Sequence, residues 1–108
     1  MNVSVVIPTY YRPDGLSALF DSLLDQTVKP KEVIIVDGTP ESIIKDVCDK
    51  YRRKFELLNI EIMYIKNPRN RSLTVARNVG VEESNGDIIT FLDNDVILHL
   101  DYLEKVLE

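Results

Sequence analysis

The sequence is poor in the residues that form disulfides and transition-metal sites. It contains one cysteine, Cys48, one histidine, His99, and no tryptophan. A lone cysteine cannot form an internal disulfide, which favours a reducing, cytoplasmic environment. Zinc is a poor match as a cofactor, because Cys48 and His99 are far apart in the sequence and belong to different patterns. Cys48 follows Val47 within a helical pattern, so we expect it to pack rather than to react.

Basic residues and long apolar runs are scarce as well. Thirteen lysines and arginines stand against eighteen acidic residues, which gives a formal net charge of -5. A protein that binds nucleic acid normally presents a concentrated basic face, so no nucleic-acid partner is expected. No apolar run approaches the roughly 18 residues of a membrane helix, and the N-terminus lacks the layout of a signal peptide. No membrane segment is therefore expected in this chain, although a longer parent protein can still be membrane-associated.

The remaining residues alternate between two periodicities. The 108 residues suffice for one domain, 1–108, with one core, and 44% of them are apolar. Short runs rich in β-branched residues predict four strands: Val3–Ile7, Val33–Val36, Ile60–Ile65 and Ile88–Leu92. Apolar residues at helical spacing predict four helices: from Pro13 onward, about 41–55, about 72–84 and about 100–107. The alternation predicts a three-layer α/β/α Rossmann-like domain with a mainly parallel sheet of about four strands.

Two local features are predicted at the helices. Thr39 and Pro40 are suited to cap and open the second helix. Gly80 lowers the helix propensity of the third helix, so we expect it to permit a close approach between helix and strand. The alternative is an ordinary surface glycine.

Polar residues follow three of the predicted strands, at Pro8–Arg12, Asp37–Thr39 and Asp93–Asp95. In open parallel sheets, ligands bind beyond the carboxyl ends of the strands, so we expect these segments to meet at one crevice. Asp37 is suited to accept a hydrogen bond from a base N–H, although ordinary turn chemistry also explains it. Tyr10 offers a flat face or edge to a base, or else lies at the rim of the domain.

Asp93 and Asp95 carry the strongest chemical signal. Two carboxylates repel each other and also a phosphate, so they suit a phosphorylated ligand only with a divalent cation between them. Residues two apart share a face of a strand, so both can address one ion if the strand extends through Asp95. Mg2+ or Mn2+ suits such oxygen ligands. The alternative is that these acids are ordinary helix caps.

The basic side of the predicted crevice comes from the third helix. Arg77 follows the inward-facing Ala76, which places it within reach of base, ribose or phosphate. A solvated surface arginine is the alternative. Arg69 and Arg71 are interpreted as solvated loop charges rather than diphosphate ligands.

Taken in order, four motifs carry a family resemblance: Val5–Tyr10, Val36–Gly38, Ala76–Gly80 and Asp93–Asp95. Their order and spacing resemble family 2 glycosyltransferases with the GT-A fold, and the resemblance spans nearly all of the chain. In that family the first half binds a nucleoside diphosphate sugar, often UDP-linked. The acids of its D-x-D motif hold ribose and a divalent metal.

The resemblance also implies residue roles. It implies a nucleotide-binding set of Pro8, Thr9, Tyr10, Asp37, Arg77, Asp93 and Asn94. It further implies that Asp93 and Asp95 hold Mg2+ or Mn2+, with Asp95 as the direct ligand. The sequence departs from the family pattern at Tyr11, where Asn is usual, near Gly38, where a second acid is frequent, and at residues 69–71, where glycines are frequent. These departures leave base and sugar preference open.

Family members continue well beyond this point, into a half that binds the acceptor and usually supplies a catalytic carboxylate. The chain ends within a helical pattern at Val106–Glu108, as expected of a domain cut from a longer protein and truncated relative to the full family fold. The resemblance implies a parent enzyme that transfers a sugar to the hydroxyl of a saccharide or lipid-linked acceptor. These residues offer no good catalytic base, so we expect the chain alone to bind the donor without efficient transfer. An apolar surface left exposed favours homodimers.

Three other functions fit parts of the pattern. A non-catalytic nucleotide-binding or regulatory module would bind its nucleotide without a metal. A nucleotidyltransferase also handles nucleotide phosphates with a metal, but no glycine-rich phosphate loop follows the first strand. A receiver-like phospho-acceptor domain also has acids at strand ends, but the Pro8–Tyr10 segment is unlike the acid pair expected there.

Overall fold

Four strands alternate with four helices along the chain. The computed structural model describes residues 1–67 and 72–108. The strands are β1 (Val3–Thr9), β2 (Glu32–Asp37), β3 (Glu61–Lys66) and β4 (Ile88–Phe91). The helices are α1 (Pro13–Leu24), α2 (Ile43–Leu57), α3 (Leu73–Glu83) and α4 (Tyr102–Val106). The predicted solvated charges Arg69 and Arg71 lie outside the described residues.

All four strands run parallel, in the spatial order β3-β2-β1-β4. Val5 of β1 lies opposite Val33 on one side and Thr90 on the other. The order therefore reverses at β1, whose carboxyl end lies between those of β2 and β4. This is the place where open parallel sheets bind ligands.

Both faces of the sheet are covered, which confirms the three-layer prediction. On one face, the β1 residues Val3, Val5 and Ile7 belong to a core with the apolar residues of α1 and α2. On the other face, Val6 packs with Ala76 of α3. Each fully buried aliphatic or aromatic side chain contributes roughly 1.5–3 kcal/mol, so these two clusters fix the layers.

Gly80 confirms the predicted close approach of a helix to the sheet. A Cβ at this position would lie 2.3 Å from Cγ1 of Val6, which is far inside van der Waals contact. Only glycine lets α3 pack at this depth against β1.

Several element boundaries differ from the prediction; β1, for example, ends at Thr9 rather than at Ile7. α2 begins at Ile43, and Thr39 is not its cap, because the Thr39 Oγ1 accepts a hydrogen bond from the Tyr11 backbone N–H at 2.6 Å instead. β4 ends at Phe91, one residue earlier than predicted. The last helix covers only Tyr102–Val106.

Cys48 is fully buried in the core, as expected. Burial raises the pKa of its thiol to about 12, so the group stays protonated and unreactive at neutral pH. Within residues 1–67 and 72–108, no helix has the length and apolar content needed to cross a membrane.

Candidate functional site

A fully buried carboxylate, Asp37, joins the carboxyl ends of three strands. Its Oδ1 accepts hydrogen bonds from Thr9 Oγ1 at 3.2 Å and from the Thr39 backbone N–H at 2.9 Å. Its Oδ2 accepts one from the Tyr64 hydroxyl at 2.5 Å. The parallel register explains the cluster, because Thr9 lies opposite Asp37, and Tyr64 lies opposite Ile35, on the same face.

Tyr64 also belongs to this cluster, although it was not among the predicted site residues. Burial, and then the hydrogen bond to Asp37, raise the pKa of its hydroxyl above the ordinary tyrosine range. The hydroxyl therefore remains a donor at neutral pH and holds the carboxylate in place. The sequence gives little indication of this contact, because the contact depends on the register between β2 and β3.

The loops after β1 and β2 are joined to each other. Besides the bond from Tyr11 to Thr39, the Gly38 backbone N–H donates to the Thr9 carbonyl at 3.0 Å. The Lys66 ammonium donates to the carbonyls of Thr39 and Glu41, the latter at 3.2 Å. The two loops therefore form a hydrogen-bonded wall, and neither Thr39 nor Lys66 was among the predicted site residues.

A cavity of about 80 Å³ opens beside this wall, on the α3 face of the sheet. It is lined by Pro8, Thr9, Tyr10, Gly38, Asn67, Leu73 and Ala76. Sites for small molecules usually have roughly 300–1,000 Å³, so this cavity suits one planar group rather than a whole nucleoside diphosphate. Three of the predicted nucleotide-binding residues, Pro8, Thr9 and Tyr10, thus share one surface. Asp37 does not line the cavity and is connected to it through the hydrogen bond from Thr9.

The Asp93–Asp95 segment leaves the sheet before its first acid. Because β4 ends at Phe91, the alternation of a strand does not apply to Asp93 and Asp95. Both acids are nevertheless exposed, whereas Asn94 between them is buried. The Asn94 Nδ2 donates to the Tyr11 carbonyl at 3.0 Å, which anchors the loop to the end of β1. The segment thus presents two carboxylates to solvent on either side of an anchored residue.

The start of α1 packs against this loop. Arg12 Nη1 lies 2.6 Å from Asp95 Oδ2, which makes an ion pair between exposed side chains. A Cβ on Gly15 would lie 2.8 Å from the Asn94 carbonyl oxygen, so only glycine permits this contact. The ion pair was not predictable from the sequence, because it depends on β1 and β4 being neighbours.

Arg77 lies on α3, outside the residues that line the cavity. Its side chain is exposed, and its guanidinium carbon is 5.5 Å from the centroid of the Phe91 ring. A cation–π contact at an exposed site is worth about 0.5–1 kcal/mol, so it restrains Arg77 only loosely.

The donor set suits a hard cation. Within the described residues, no three or more His, Cys, Asp or Glu side chains are grouped to hold a metal. Asp93 and Asp95 supply exposed carboxylate oxygens, which Mg2+ and Mn2+ accept when substrate phosphates and water complete the coordination. The residues present therefore fit a metal shared with a diphosphate, not a closed metal site formed by protein alone.

Comparison with known proteins gives a consistent family. The family model for glycosyl transferase family 2 matches residues 4–108. An uncharacterized glycosyltransferase of Haemophilus influenzae is 36% identical over 107 residues, covering 98% of this chain and 33% of that protein. The putative teichuronic acid biosynthesis glycosyltransferase TuaG of Bacillus subtilis is 35% identical over 106 residues, covering 98% of this chain and 40% of that protein. The chain thus spans well under half the length of these curated relatives.

Solved structures agree with this result. The structure of TarS 1–349 from S. aureus in complex with UDP has a TM-score of 0.75 and 28% identity, covering 99% of this chain and 31% of that one. The same protein has been solved with UDP-GlcNAc. A mannosyltransferase from Pyrobaculum calidifontis, solved with GDP-Man and Mn2+, has a TM-score of 0.82 at 22% identity, covering 98% of this chain and 31% of that one. At that identity the likeness concerns the fold alone.

Proposed function

Since the chain belongs to glycosyl transferase family 2, we propose that it binds a nucleoside diphosphate sugar at the carboxyl ends of β1, β2 and β4. The observation that carries the proposal is the cavity lined by Pro8, Thr9 and Tyr10, at the same end of the sheet as the exposed acids of the Asp93–Asp95 segment. A UDP-linked donor is favoured because TarS, at 28% identity, was solved with UDP and with UDP-GlcNAc.

Each part of the donor has a matching surface in this proposal. The base packs against Tyr10 in the cavity, whose aromatic and apolar lining suits a planar ring. Asp37 holds Thr9 and Thr39 in place, and its direct contact with a base N–H stays a prediction, since the carboxylate is fully buried. Arg77 contacts ribose or phosphate from its exposed position on α3.

The acids serve the diphosphate end. Asp95 is the direct ligand of Mg2+ or Mn2+ and Asp93 contacts ribose and metal, while Asn94 keeps the loop fixed to β1. When bound, the metal neutralises the charge that grows on the departing diphosphate. The carboxylates hold that positive charge where the phosphates enter, which removes the repulsion between acids and donor.

Transfer of the sugar is proposed for the parent protein. A general base there removes a proton from the acceptor hydroxyl of a saccharide or lipid-linked acceptor. We expect residues 1–108 alone to bind the donor without efficient transfer. Robust sugar transfer by the purified 108 residues would contradict this part of the proposal.

Cytoplasmic location and self-association stay predictions. The segment after the Asp93–Asp95 loop exposes large apolar side chains, with Ile97 74% and Leu100 61% exposed. Such exposure favours association, so we expect size-exclusion chromatography with light scattering to detect a dimer at high protein concentration.

The proposal is tested by calorimetric titration of the chain with UDP, GDP and their sugar conjugates, with Mn2+ and with a chelator. We expect UDP to bind with Mn2+ and at least about tenfold more weakly with the chelator. Asp95→Asn should remove the Mn2+ dependence. Asp101→Asn is the matched control, because Asp101 is an acid of similar exposure, 46% against 47%, that pairs with Lys105 away from the site.

Two outcomes would change the proposal. If UDP binds equally well with the chelator and to Asp95→Asn, the acids are structural and the chain is a non-catalytic nucleotide-binding module. That alternative has one observation in its favour, since Asp95 already has an ion-pair partner in Arg12. If no nucleotide binds under either condition, the proposed function is wrong.

A further inference from the structure

We propose that Arg12 is a built-in counter-cation for Asp95, and that its guanidinium must leave this carboxylate before Asp95 can bind a divalent metal. The inference rests on the proposed function, because it takes Asp95 as a metal ligand. It adds a residue outside the predicted site and assigns it a regulatory role, setting the affinity of the site for its metal.

The contact itself is short and accessible. Arg12 Nη1 and Asp95 Oδ2 are 2.6 Å apart, a distance typical of strong charge-assisted hydrogen bonds. The two side chains are 65% and 47% exposed, so water and ions reach both. In the part of the chain that the structure describes, Arg12 is the one basic side chain paired with Asp95.

The backbone that carries Arg12 has an unusual conformation. Tyr11 and Arg12 have φ values of 61° and 63°, in the left-handed region that residues other than glycine rarely adopt. Two hydrogen bonds hold this conformation: Tyr11 N–H donates to Thr39 Oγ1, and Asn94 Nδ2 donates to the Tyr11 carbonyl. Strain that the surroundings maintain in this way is typical of functional sites.

The Asp95 loop is held from the other side. The close contact between Gly15 and the Asn94 carbonyl fixes the loop against the first turn of α1. Arg12 and Asp95 are therefore brought together by the packing of two loops, rather than by two freely moving side chains on an exposed surface. This distinguishes the pair from an ion pair such as Lys105 with Asp101, which forms within one turn at the start of α4.

Arg12 would compete with a metal ion for the Asp95 carboxylate. A guanidinium at Oδ2 occupies an oxygen that a cation needs and repels a second positive charge. Exposed ion pairs are individually weak, so the competition is modest and Arg12 can be displaced. Removing Arg12 should therefore strengthen metal binding by about two- to fivefold, the factor that corresponds to the upper part of the exposed-pair range.

The test titrates Mn2+ at a fixed concentration of UDP and follows free Mn2+ by its electron paramagnetic resonance signal, against a blank that contains UDP but no protein. We expect Arg12→Gln to bind Mn2+ about two- to fivefold more tightly than the wild type. Arg12→Asn should behave in the same way, and it is the second variant because asparagine tolerates the left-handed backbone and preserves the loop. Lys105→Gln is the control, since it removes the same charge from a pair that is 67% and 46% exposed. It should match the wild type.

The inference is wrong if both Arg12 variants bind Mn2+ as the wild type does or more weakly, or if Lys105→Gln gains as much. It is also wrong if neither the wild type nor the variants bind Mn2+. Failure of the proposed function gives a different result, because the wild type would then bind no UDP, either with or without Mn2+. Wild-type binding of both Mn2+ and UDP, with no gain in the Arg12 variants, would overturn the inference alone.

Discussion

The two ends of β2 carry the same chemical group in different surroundings. Glu32 begins the strand and Asp37 ends it, and both carboxylates are fully buried. Glu32 Oε2 accepts hydrogen bonds from Ser4 Oγ at 2.6 Å and from the Asn85 backbone N–H at 2.5 Å. Each carboxylate thus ties a neighbouring strand and a loop to β2: Glu32 binds the loop between α3 and β4, and Asp37 binds the loop after β2.

The difference lies in what surrounds the two clusters. At the Glu32 end, Gly86 N–H donates to Ser4 Oγ, and a Cβ on Gly86 would lie 2.5 Å from that oxygen, so the loop closes over the cluster. At the Asp37 end, the cavity opens beside the 41% exposed Tyr10. Burial and complete hydrogen bonding do not distinguish a structural carboxylate from one next to a proposed binding site. An open cavity at the carboxyl ends of the strands does.

The largest effect is expected from removing each carboxylate. Glu32→Ala and Asp37→Ala each leave several buried donors without an acceptor, so each should lower the free energy of unfolding by about 3 kcal/mol. Urea unfolding measures this loss. Calorimetry should then find UDP affinity reduced only in Asp37→Ala, measured where both variants are folded. Equal losses of UDP affinity would mean that the two ends do not differ in function.

A smaller effect is expected from the two close-packed glycines. Gly80→Ala places a Cβ against Val6, and Gly86→Ala places one against Ser4, so each should cost about 1–3 kcal/mol by overpacking. Thermal unfolding checks this. Only Gly80→Ala should also weaken UDP binding, because α3 carries Ala76 of the cavity lining. An unchanged UDP affinity in Gly80→Ala would show that the position of α3 does not matter for the site.

Two tyrosine hydroxyls give a finer comparison. Tyr64 donates to Asp37, while Tyr51 donates to Asp21 at 2.8 Å, away from the crevice. The Tyr51 hydroxyl also lies 3.3 Å from the Ser17 carbonyl oxygen. Replacing either tyrosine by phenylalanine removes the hydroxyl and its hydrogen bonding and should cost about 1 kcal/mol of stability. We expect Tyr64→Phe alone to alter the UDP dissociation constant. If Tyr51→Phe alters it as much, the Asp37 cluster has no special influence on the cavity.

The smallest effect is expected on the stability of the protein at low pH. Burial alone would raise the pKa of Glu32, but hydrogen bonds from Ser4 and Asn85 outweigh it, so the pKa lies below its ordinary value of 4.5. A carboxyl group with a lowered pKa contributes stability above its unfolded-state pKa, and that stability is lost as pH falls through the folded-state value. The free energy of unfolding should therefore fall less steeply below pH 4.5 in Glu32→Gln than in the wild type. Identical slopes in urea unfolding at several pH values would contradict this assignment.

Much of the fold follows from local patterns in the sequence. Runs such as Val33–Val36 are bounded by turn residues and therefore predict strands. The helices between these runs are long enough to connect parallel strands, so they predict a parallel sheet. Gly80 was predictable because a glycine within a helix needs a packing reason. The end of β4 was not, because Leu92 continues the apolar run although Asn94 draws the chain toward Tyr11.

The site was predictable only in part, for a physical reason. Residues at strand ends, such as Thr9 and Tyr10, could be found because strand ends are visible in the sequence. Thr39 and Tyr64 contribute through contacts that depend on loop conformation and strand register. The pairing of Arg12 with Asp95 additionally requires that β1 and β4 be neighbours. No local pattern contains that information.

The most direct test of the account is to map UDP binding by amide chemical shifts of the labelled chain in the presence of Mg2+. We predict that the largest shifts occur at Thr9, Tyr10 and the Asp93–Asp95 segment, with Ser4 and Asn85 unchanged. Shifts concentrated at Ser4 and Asn85, or the absence of any shift at saturating UDP, would contradict a nucleotide site at the carboxyl ends of the strands.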